Sequence, residues 1–183
     1  MSKNPNVSGR TTYELMDDMA PGLYADLMRG VASLSTYVGF VQIFDLEGYQ
    51  DQAKAFLSEM APFLVRSEHT KSWPGTQMVT MLDPVRHLFR AEPEAIEVIL
   101  AHSDGFGVWE NPAMLDDIHF LRADESVMLG HTSSEHGVWV DVDPQELARL
   151  SDSLPFYASP ATAPALIRPR VITPMRGVEA MTA

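Results

Sequence analysis

Residues able to bind a metal ion or transfer a proton are concentrated in the stretch 116–143. His131, Glu135 and His136 occupy the spacing H-x-x-x-E-H, and His119 precedes His131 by 12 residues. Imidazole nitrogens and carboxylate oxygens are ligands that zinc accepts in proteins. If the segments around His119 and His131 pair as a hairpin, these four side chains lie close together. The pattern therefore supports a divalent-metal site as one hypothesis.

The same residues also suit an ordinary surface turn. Zinc motifs with related spacings lie on a helix, whereas residues 116–143 have the pattern of strands and turns. Ser133 and Ser134 precede His136, but no Gly-x-Ser-x-Gly turn accompanies them, so an activated serine is not indicated. Polar residues are also what a hairpin turn requires. We therefore keep a structural interpretation beside the metal hypothesis.

Paired carboxylates and one tryptophan are the candidates for a binding surface. Asp116 and Asp117 come directly before a predicted strand, where no helix cap explains them. Trp139 and Asp141 share one face of the strand 138–142, and three valines occupy the other face. This alternation predicts that Trp139 faces solvent or a partner, and tryptophan is enriched at interface hot spots. These four residues are the predicted binding residues.

Three short strands and a helix are predicted to position these residues. The strands occupy residues 118–122, 127–132 and 138–142, and polar turns separate them. Residues 143–146 read Asp-Pro-Gln-Glu, which is a capping box with proline at the first helical position. The stretch therefore predicts a three-stranded meander that ends in a capped helix.

The first third of the chain favours helices. Residues 11–14 read Thr-Thr-Tyr-Glu, which resembles a capping box, and Pro21 can begin a second helix. Residues 37–44 are β-branched and aromatic, and periodicity alone leaves helix and buried strand open. Asp45 is the expected cap of a helix over 46–60.

The middle of the chain adds strands and another helix. Alternation predicts strands at 77–82 and 85–89, and Pro93 stands near the start of a helix over 91–101. Together the elements predict an α+β fold. Its N-terminal helices pack on one face of a mainly antiparallel sheet, built chiefly from residues 77–90 and 118–142.

Composition divides the chain into three parts. Residues 1–10 are polar and are predicted to be a disordered arm. Residues 11–153 form one predicted globular domain. Residues 154–183 contain 5 prolines yet carry several large apolar side chains, which predicts an extended arm that packs on the body or on a neighbouring subunit.

Charge and cysteine content restrict the function classes. The 183 residues have a net charge of −12, and residues 11–153 hold 24 acidic residues against 8 lysines and arginines. Such a body repels phosphate, so nucleic acid is not an expected partner. The absence of cysteine excludes disulfides and favours a cytoplasmic location. No leader peptide and no apolar stretch of membrane-spanning length is expected.

A series of short motifs resembles one found in small uncharacterised bacterial proteins. Residues 72–76 read Ser-Trp-Pro-Gly-Thr, Trp109 begins a Trp-x-x-Pro motif, and residues 116–122 read Asp-Asp-Ile-His-Phe-Leu-Arg. Residues 134–135 read Ser-Glu before the last strand, where the resembling proteins have His-Glu. The resemblance covers about residues 70–150. It implies a bacterial, cytosolic α+β protein and brings no activity with it.

The sequence supports three hypotheses for function. The leading one is a non-enzymatic, acidic protein-binding module without a cofactor, for example a bacterial immunity or inhibitor protein that covers a basic partner. The second is a metal-binding protein or metal-dependent hydrolase that uses His119, His131, Glu135 and His136. The third is a structural component of a homo-oligomer that is assembled through residues 154–183.

Overall fold

An antiparallel sheet and a layer of α-helices form the protein in the computed structural model, which describes residues 9–16, 18–153 and 168–169. The helices of this part of the chain are α1 (Pro21–Ala32), α2 (Asp51–Met60), α3 (Pro93–His102) and α4 (Pro144–Ser153). Its strands are β1 (Thr11–Leu15), β2 (Tyr37–Gln42), β3 (Leu64–His69), β4 (Ser72–Trp73), β5 (Thr76–Gln77), β6 (Val85–Arg90), β7 (Asp116–Leu121), β8 (Val127–Thr132), β9 (Gly137–Val142) and β10 (Arg168–Pro169). The predicted α+β class is confirmed.

Eight of these strands form one sheet, in the order β10-β1-β9-β8-β7-β2-β6-β3. All its neighbouring strands run antiparallel. Strands β4 and β5 form a separate hairpin around a Pro74-Gly75 turn, in which Gly75 has a φ of +80°. The predicted meander is confirmed as β7, β8 and β9.

The helices cover one face of the sheet, which we call the helix face. Phe40 of β2 points into this layer, where its ring centroid lies 5.0 Å from that of Phe56 in α2 and 4.7 Å from that of Trp109. Directly opposed residues of paired strands share a face, so Val38 and Phe120 also belong to it. Burying these large side chains supplies the main favourable term for folding.

Residues 37–42 form a strand, which settles a question that periodicity left open. Strand β2 lies between β6 and β7, and its residues 38–41 are all buried. A strand covered on both faces reads as a continuous apolar run, because neither face keeps polar residues. That is why the sequence alone did not distinguish it from a buried helix.

The predicted helix that begins with the capping box at residues 11–14 is wrong, because residues 11–15 form strand β1. Tyr13 lies opposite Val140 in the ladder between β1 and β9, and it packs against the helix-face core. Thr12 and Glu14 point to the other face of the sheet. Alternation with a period of two therefore outweighs the local capping pattern.

Two further predicted boundaries differ from the structure. The helix over 46–60 begins only at Asp51, because residues 46–48 form a 3₁₀ turn and Asp45 makes no side-chain cap. The strand over 77–82 ends at Gln77, and the following residues form a loop that leads to β6. The sheet is completed instead by β1, β2 and β3, so it extends well beyond the two predicted segments.

The capped exit helix is confirmed in detail. Asp143 Oδ1 accepts the backbone N–H of Glu146 at 2.8 Å, and Glu146 Oε2 accepts the backbone N–H of Asp143 at 3.0 Å. Residues 1–8 of the predicted N-terminal arm lie outside the described residues, as does most of the C-terminal arm. Its described residues, Arg168 and Pro169, pair with Glu14 and Tyr13 of β1 in the same chain. Within the described ranges, no helix is both long and apolar enough to cross a membrane.

Candidate functional site

His119 and His131 lie on opposite faces of the sheet. Phe120 and Leu129 are directly opposed in β7 and β8, so His131 shares the helix face with them and His119 points the other way. The His131 ring lies 5.3 Å from that of Phe106. Glu135 and His136 are exposed in the turn after β8. The four predicted metal ligands therefore do not converge, and no group of three His, Asp or Glu residues in the described part of the chain can hold a metal ion.

His119 is instead a fully buried, neutral histidine. Its Nδ1 lies 2.8 Å from the Asp117 carbonyl oxygen, and because that oxygen only accepts, Nδ1 carries the proton. Burial lowers the pKa of the imidazole to about 4, although this hydrogen bond raises it. The ring packs over Gly39 of β2, where a Cβ atom would overlap Nε2. His119 thus fills the space that a glycine leaves in the neighbouring strand.

Asp117 is buried rather than displayed at a binding surface, with an exposed fraction of 6%. Its Oδ2 accepts the indole N–H of Trp73 at 2.6 Å and the hydroxyl of Thr76 at 3.2 Å. Its Oδ1 accepts the backbone N–H of Ser133 at 2.7 Å. Asp117 therefore fastens the β4–β5 hairpin to the sheet, on the face opposite the helices. The prediction that it contacts a partner is corrected.

Asp116 is buried to the same extent as Asp117, but only one of its two carboxylate oxygens accepts a hydrogen bond from the described residues. Its Oδ1 accepts the side-chain N–H of Asn111 at 3.0 Å, whereas its Oδ2 has no hydrogen-bond partner among the described residues. Burial raises the pKa of the carboxyl to about 6, the Asn111 hydrogen bonds lower it, and the charges of Asp117 and Glu110 raise it further. Asp116 is therefore not a surface acid either.

Trp139 lies on the face opposite the helices, as its alternation with the valines of β9 predicts. Its indole rests on Gly130 of β8, and the far edge of the ring touches Gly75 in the β4–β5 hairpin. A side chain at either glycine would collide with the ring. The indole is half-buried and forms one wall of a cavity of about 250 Å³. We call this space the Trp139 cavity.

Two carboxylates line the Trp139 cavity. They belong to Glu14 of β1 and Glu135 of the turn after β8, and the threonines Thr12 and Thr132 lie beside them. Asp141 is on the same sheet face and accepts the Thr12 hydroxyl at 3.2 Å. Glu14 and Thr12 reach the cavity because residues 11–15 form a strand. The sequence did not predict these two residues at the site, because this segment was expected to be a helix.

A second concave surface lies at the edge of the sheet where β2 ends and β6 begins. It is a groove of about 550 Å³ whose apolar wall contains Phe44, Met81 and Leu82, with Asp45 and Asp83 beside them. Met81 is 98% exposed, and Val79 of the same loop is 93% exposed. We call this surface the Met81 groove. No lysine or arginine is among its described lining residues.

Most lysine and arginine side chains of residues 11–153 form ion pairs with carboxylates. The net charge of the protein surface is therefore negative. At least 6 of the 8 lysines and arginines in residues 11–153 form ion pairs within 4.0 Å. These pairs are Arg29–Glu97, Lys54–Asp51, Arg66–Glu125, Arg86–Glu68, Arg90–Glu92 and Arg122–Glu146. The remaining carboxylates give the surface a negative field that extends about one Debye length, roughly 8 Å at physiological salt.

Comparison with known proteins adds no family to these observations. No protein-family model matches the chain, and no curated protein or solved structure is similar to it at a significant level.

The Met81 groove is the feature that sequence reasoning missed. A strand predicted over residues 77–82 would have placed Val79 and Met81 in the sheet, where their apolar character needs no further explanation. The signal available was Asp83-Pro84, which ends the segment, and Thr80, which interrupts it. These residues leave too few positions for a regular strand between the hairpin and β6.

Proposed function

We propose that the protein is a binding module for a basic protein partner, and that the partner docks in the Met81 groove. The observation that carries this proposal is the near-complete exposure of Met81, which lines the groove together with Asp45 and Asp83, and of Val79 in the same loop. Apolar side chains that are exposed together and bordered by charge mark interaction sites in soluble proteins. An inhibitor or immunity protein that covers a basic active site is one form of such a module.

The apolar residues supply the anchor for such a partner. Methionine is unbranched and polarizable, so Met81 can adapt its shape to an incoming side chain. Phe44 is 44% exposed and Leu82 is 37% exposed, so both can still be covered. Interfaces draw most of their free energy from a few central residues that become fully desolvated, and the groove offers three of them.

The acidic residues supply selection by charge. Asp45, Glu47 and Asp83 are all exposed at this end of the molecule. Among the described residues that line the groove, the one group able to carry positive charge is His69, which lies 2.9 Å from Asp83 and is charged only when protonated. Complementary charges steer association and reject partners of the wrong sign. The expected partner therefore presents an apolar side chain surrounded by lysine or arginine.

A panel of peptides tests the proposal without a known partner. Each basic peptide carries one large apolar side chain flanked by lysine or arginine, and its matched control carries glutamate at the same positions. Fluorescence anisotropy of the labelled peptides against the full chain gives Kd at about 50 mM and about 300 mM salt. We expect the basic series to bind, the acidic series not to bind, and higher salt to weaken binding.

Substitutions locate the binding surface. Met81→Ser should weaken the best basic peptide about tenfold or more, because it removes the central anchor. Leu64→Ser is the matched control, since Leu64 is 42% exposed on β3 and does not line the groove. Equal affinity of basic and acidic peptides would refute the proposal. So would a Met81→Ser variant that binds as tightly as the original chain.

A further inference from the structure

We propose that the Trp139 cavity binds an organic cation, namely a guanidinium or alkylammonium group. This site is independent of the Met81 groove, because the two surfaces share no lining residue. The inference combines three features: an aromatic wall, two carboxylates and a concave space of about 250 Å³. Each suits one property of an organic cation.

The aromatic wall is held in place by the backbone beneath it. Gly130 lies directly under the six-membered ring of Trp139, and Gly75 touches its distal edge. Because any Cβ at these positions would displace the ring, the two glycines allow the indole to pack directly on the backbone, and this contact restrains it on that side. A tryptophan face attracts a cation within about 6 Å of its centroid, and does so more strongly than a tyrosine or phenylalanine face. A restrained ring loses less side-chain freedom on binding.

The carboxylates determine the sign of the ligand. Glu14 and Glu135 both line the cavity, whereas no lysine or arginine is among its described lining residues. A guanidinium group can stack on an indole and donate hydrogen bonds to carboxylates in its own plane. A small inorganic cation prefers oxygen ligands alone and gains little from the indole. The combination therefore favours arginine-like or alkylammonium groups over metal ions.

The cavity has the dimensions of one such group and not of a larger ligand. Sites for drug-sized molecules run from about 300 to about 1,000 Å³, so this space is below that range. Thr12 and Thr132 add hydroxyl groups to the wall. The cation can be a free small molecule or a side chain that projects from a protein. Both sources present the same chemistry to Trp139.

Nuclear magnetic resonance of the full chain tests the proposal with defined probes. Nα-acetylarginine amide is titrated against the ¹⁵N-labelled protein, and Nα-acetylcitrulline amide is its uncharged isosteric control. We expect saturable shifts of the Trp139 indole N–H and of the Gly75 and Gly130 amides with arginine only. Equal shifts with citrulline, or no shift up to about 20 mM arginine amide, would overturn the proposal.

Variants identify the contributing groups. Trp139→Leu should abolish binding, and Glu135→Gln should weaken it about fivefold or more, because each removes one attraction to the cation. Glu110→Gln is the matched control, since Glu110 is exposed and lies outside the cavity lining. If Glu135→Gln and Glu110→Gln bind the arginine probe equally well, the carboxylate part of the inference is wrong.

One further comparison identifies the source of the cation. A peptide with one central arginine that binds as well as the amide probe indicates a protein side chain, whereas binding of the amide probe alone indicates a free small molecule. Peptide binding at the Met81 groove is unaffected in each case, which separates this test from the proposed function.

Discussion

Asp117 and Ser133 are joined by two reciprocal hydrogen bonds. The backbone N–H of Asp117 donates to Ser133 Oγ at 3.0 Å, and the backbone N–H of Ser133 donates to Asp117 Oδ1 at 2.7 Å. The Ser133 hydroxyl also lies 2.5 Å from the Trp109 carbonyl oxygen. This pair therefore connects the start of β7, the turn after β8 and the loop that carries Trp109. Through Trp73 it also holds the hairpin that borders the Trp139 cavity.

Ser133→Ala should destabilise the protein substantially. The substitution leaves the buried N–H of Asp117 and the carbonyl of Trp109 without their partner, and each such group costs about 1–3 kcal/mol. We expect the free energy of unfolding in urea to fall by about 3 kcal/mol. Ser134→Ala is the control, because Ser134 is exposed in the same turn, and its effect should stay within about 0.5 kcal/mol. Similar losses for both variants would contradict the role assigned to Ser133.

The contacts of Asp117 show what sequence patterns can and cannot predict. Strand β9 was predictable because its alternation is local and strict. The burial of Asp117 was not, because its partners Trp73 and Ser133 are 44 and 16 residues away in the chain. Two adjacent acids before a strand look like loop chemistry unless these distant donors are known. The same limit applies to His119 and His131, whose faces depend on the register between β7 and β8.

Strand β1 illustrates a conflict between local and tertiary preference. Residues 11–14 satisfy a capping box, but Tyr13 and Leu15 gain more by packing on the helix-face core while the backbone pairs with β9. That choice also brings Glu14 into the Trp139 cavity. Trp139 and Asp141 were correctly placed on one strand face. The sequence did not indicate that the indole packs against Gly75 and Gly130, because these contacts depend on how the strands and the hairpin pack together.

Asp116→Asn should stabilise the protein at neutral pH. Because the folded-state pKa of Asp116 is about 6 and its ordinary value is 3.8, ionisation opposes folding as the pH rises through this interval. A difference of about two pKa units corresponds to about 3 kcal/mol, so the variant should gain about 1–3 kcal/mol near pH 7.5. Urea unfolding at about pH 4 and about pH 7.5 measures this gain. The exposed Asp104→Asn is the control, and an equal gain at both pH values would contradict the prediction.

Titration of His119 should increase the free energy of unfolding as the pH rises, whereas titration of Asp116 decreases it, and the two pH ranges are similar. Its folded-state pKa is lowered from 6.5 to about 4, so the stability that its neutral form contributes is present above pH 6.5. That stability is lost as the pH falls from about 6.5 to about 4, by up to about 3 kcal/mol. His119→Leu cannot be protonated, so the difference in unfolding free energy between the original chain and this variant should shrink over that range. Parallel curves for the two proteins would show that His119 is not the titrating group.

Gly39→Ala should disrupt the sheet at its centre. A Cβ at this position would overlap His119 Nε2 and approach Leu88 Cδ2 to 2.7 Å, and overpacking a core costs about 1–3 kcal/mol. Gly22→Ala is the control, because a Cβ added there would meet nothing within 4 Å and alanine favours the helix. The same substitution in a His119→Ala background should cost less, since one of the two clashes is gone. Strict additivity of the two changes would rule out the contact as the cause.

Arg122→Lys should weaken the attachment of helix α4 to the sheet, even though the substitution preserves the positive charge. The Arg122 guanidinium donates from Nε and Nη2 to Glu146, each at 2.7 Å, and to the carbonyl oxygens of Val127 at 2.5 Å and Asp141 at 2.6 Å. A lysine ammonium cannot reproduce this planar set of bonds. We expect a loss of about 2–3 kcal/mol in unfolding free energy and faster amide hydrogen exchange in α4.

Arg29→Lys is the matched control for this substitution. Arg29 also donates through Nε and Nη2 to one carboxylate, that of Glu97, at 2.9 and 3.0 Å. Its side chain is 52% exposed, whereas that of Arg122 is 10% exposed. Because an exposed ion pair contributes about 0–1 kcal/mol, Arg29→Lys should cost less than about 1 kcal/mol. If both variants lose the same free energy, burial does not determine the strength of the Arg122–Glu146 pair, and α4 is held to the sheet by its apolar contacts instead.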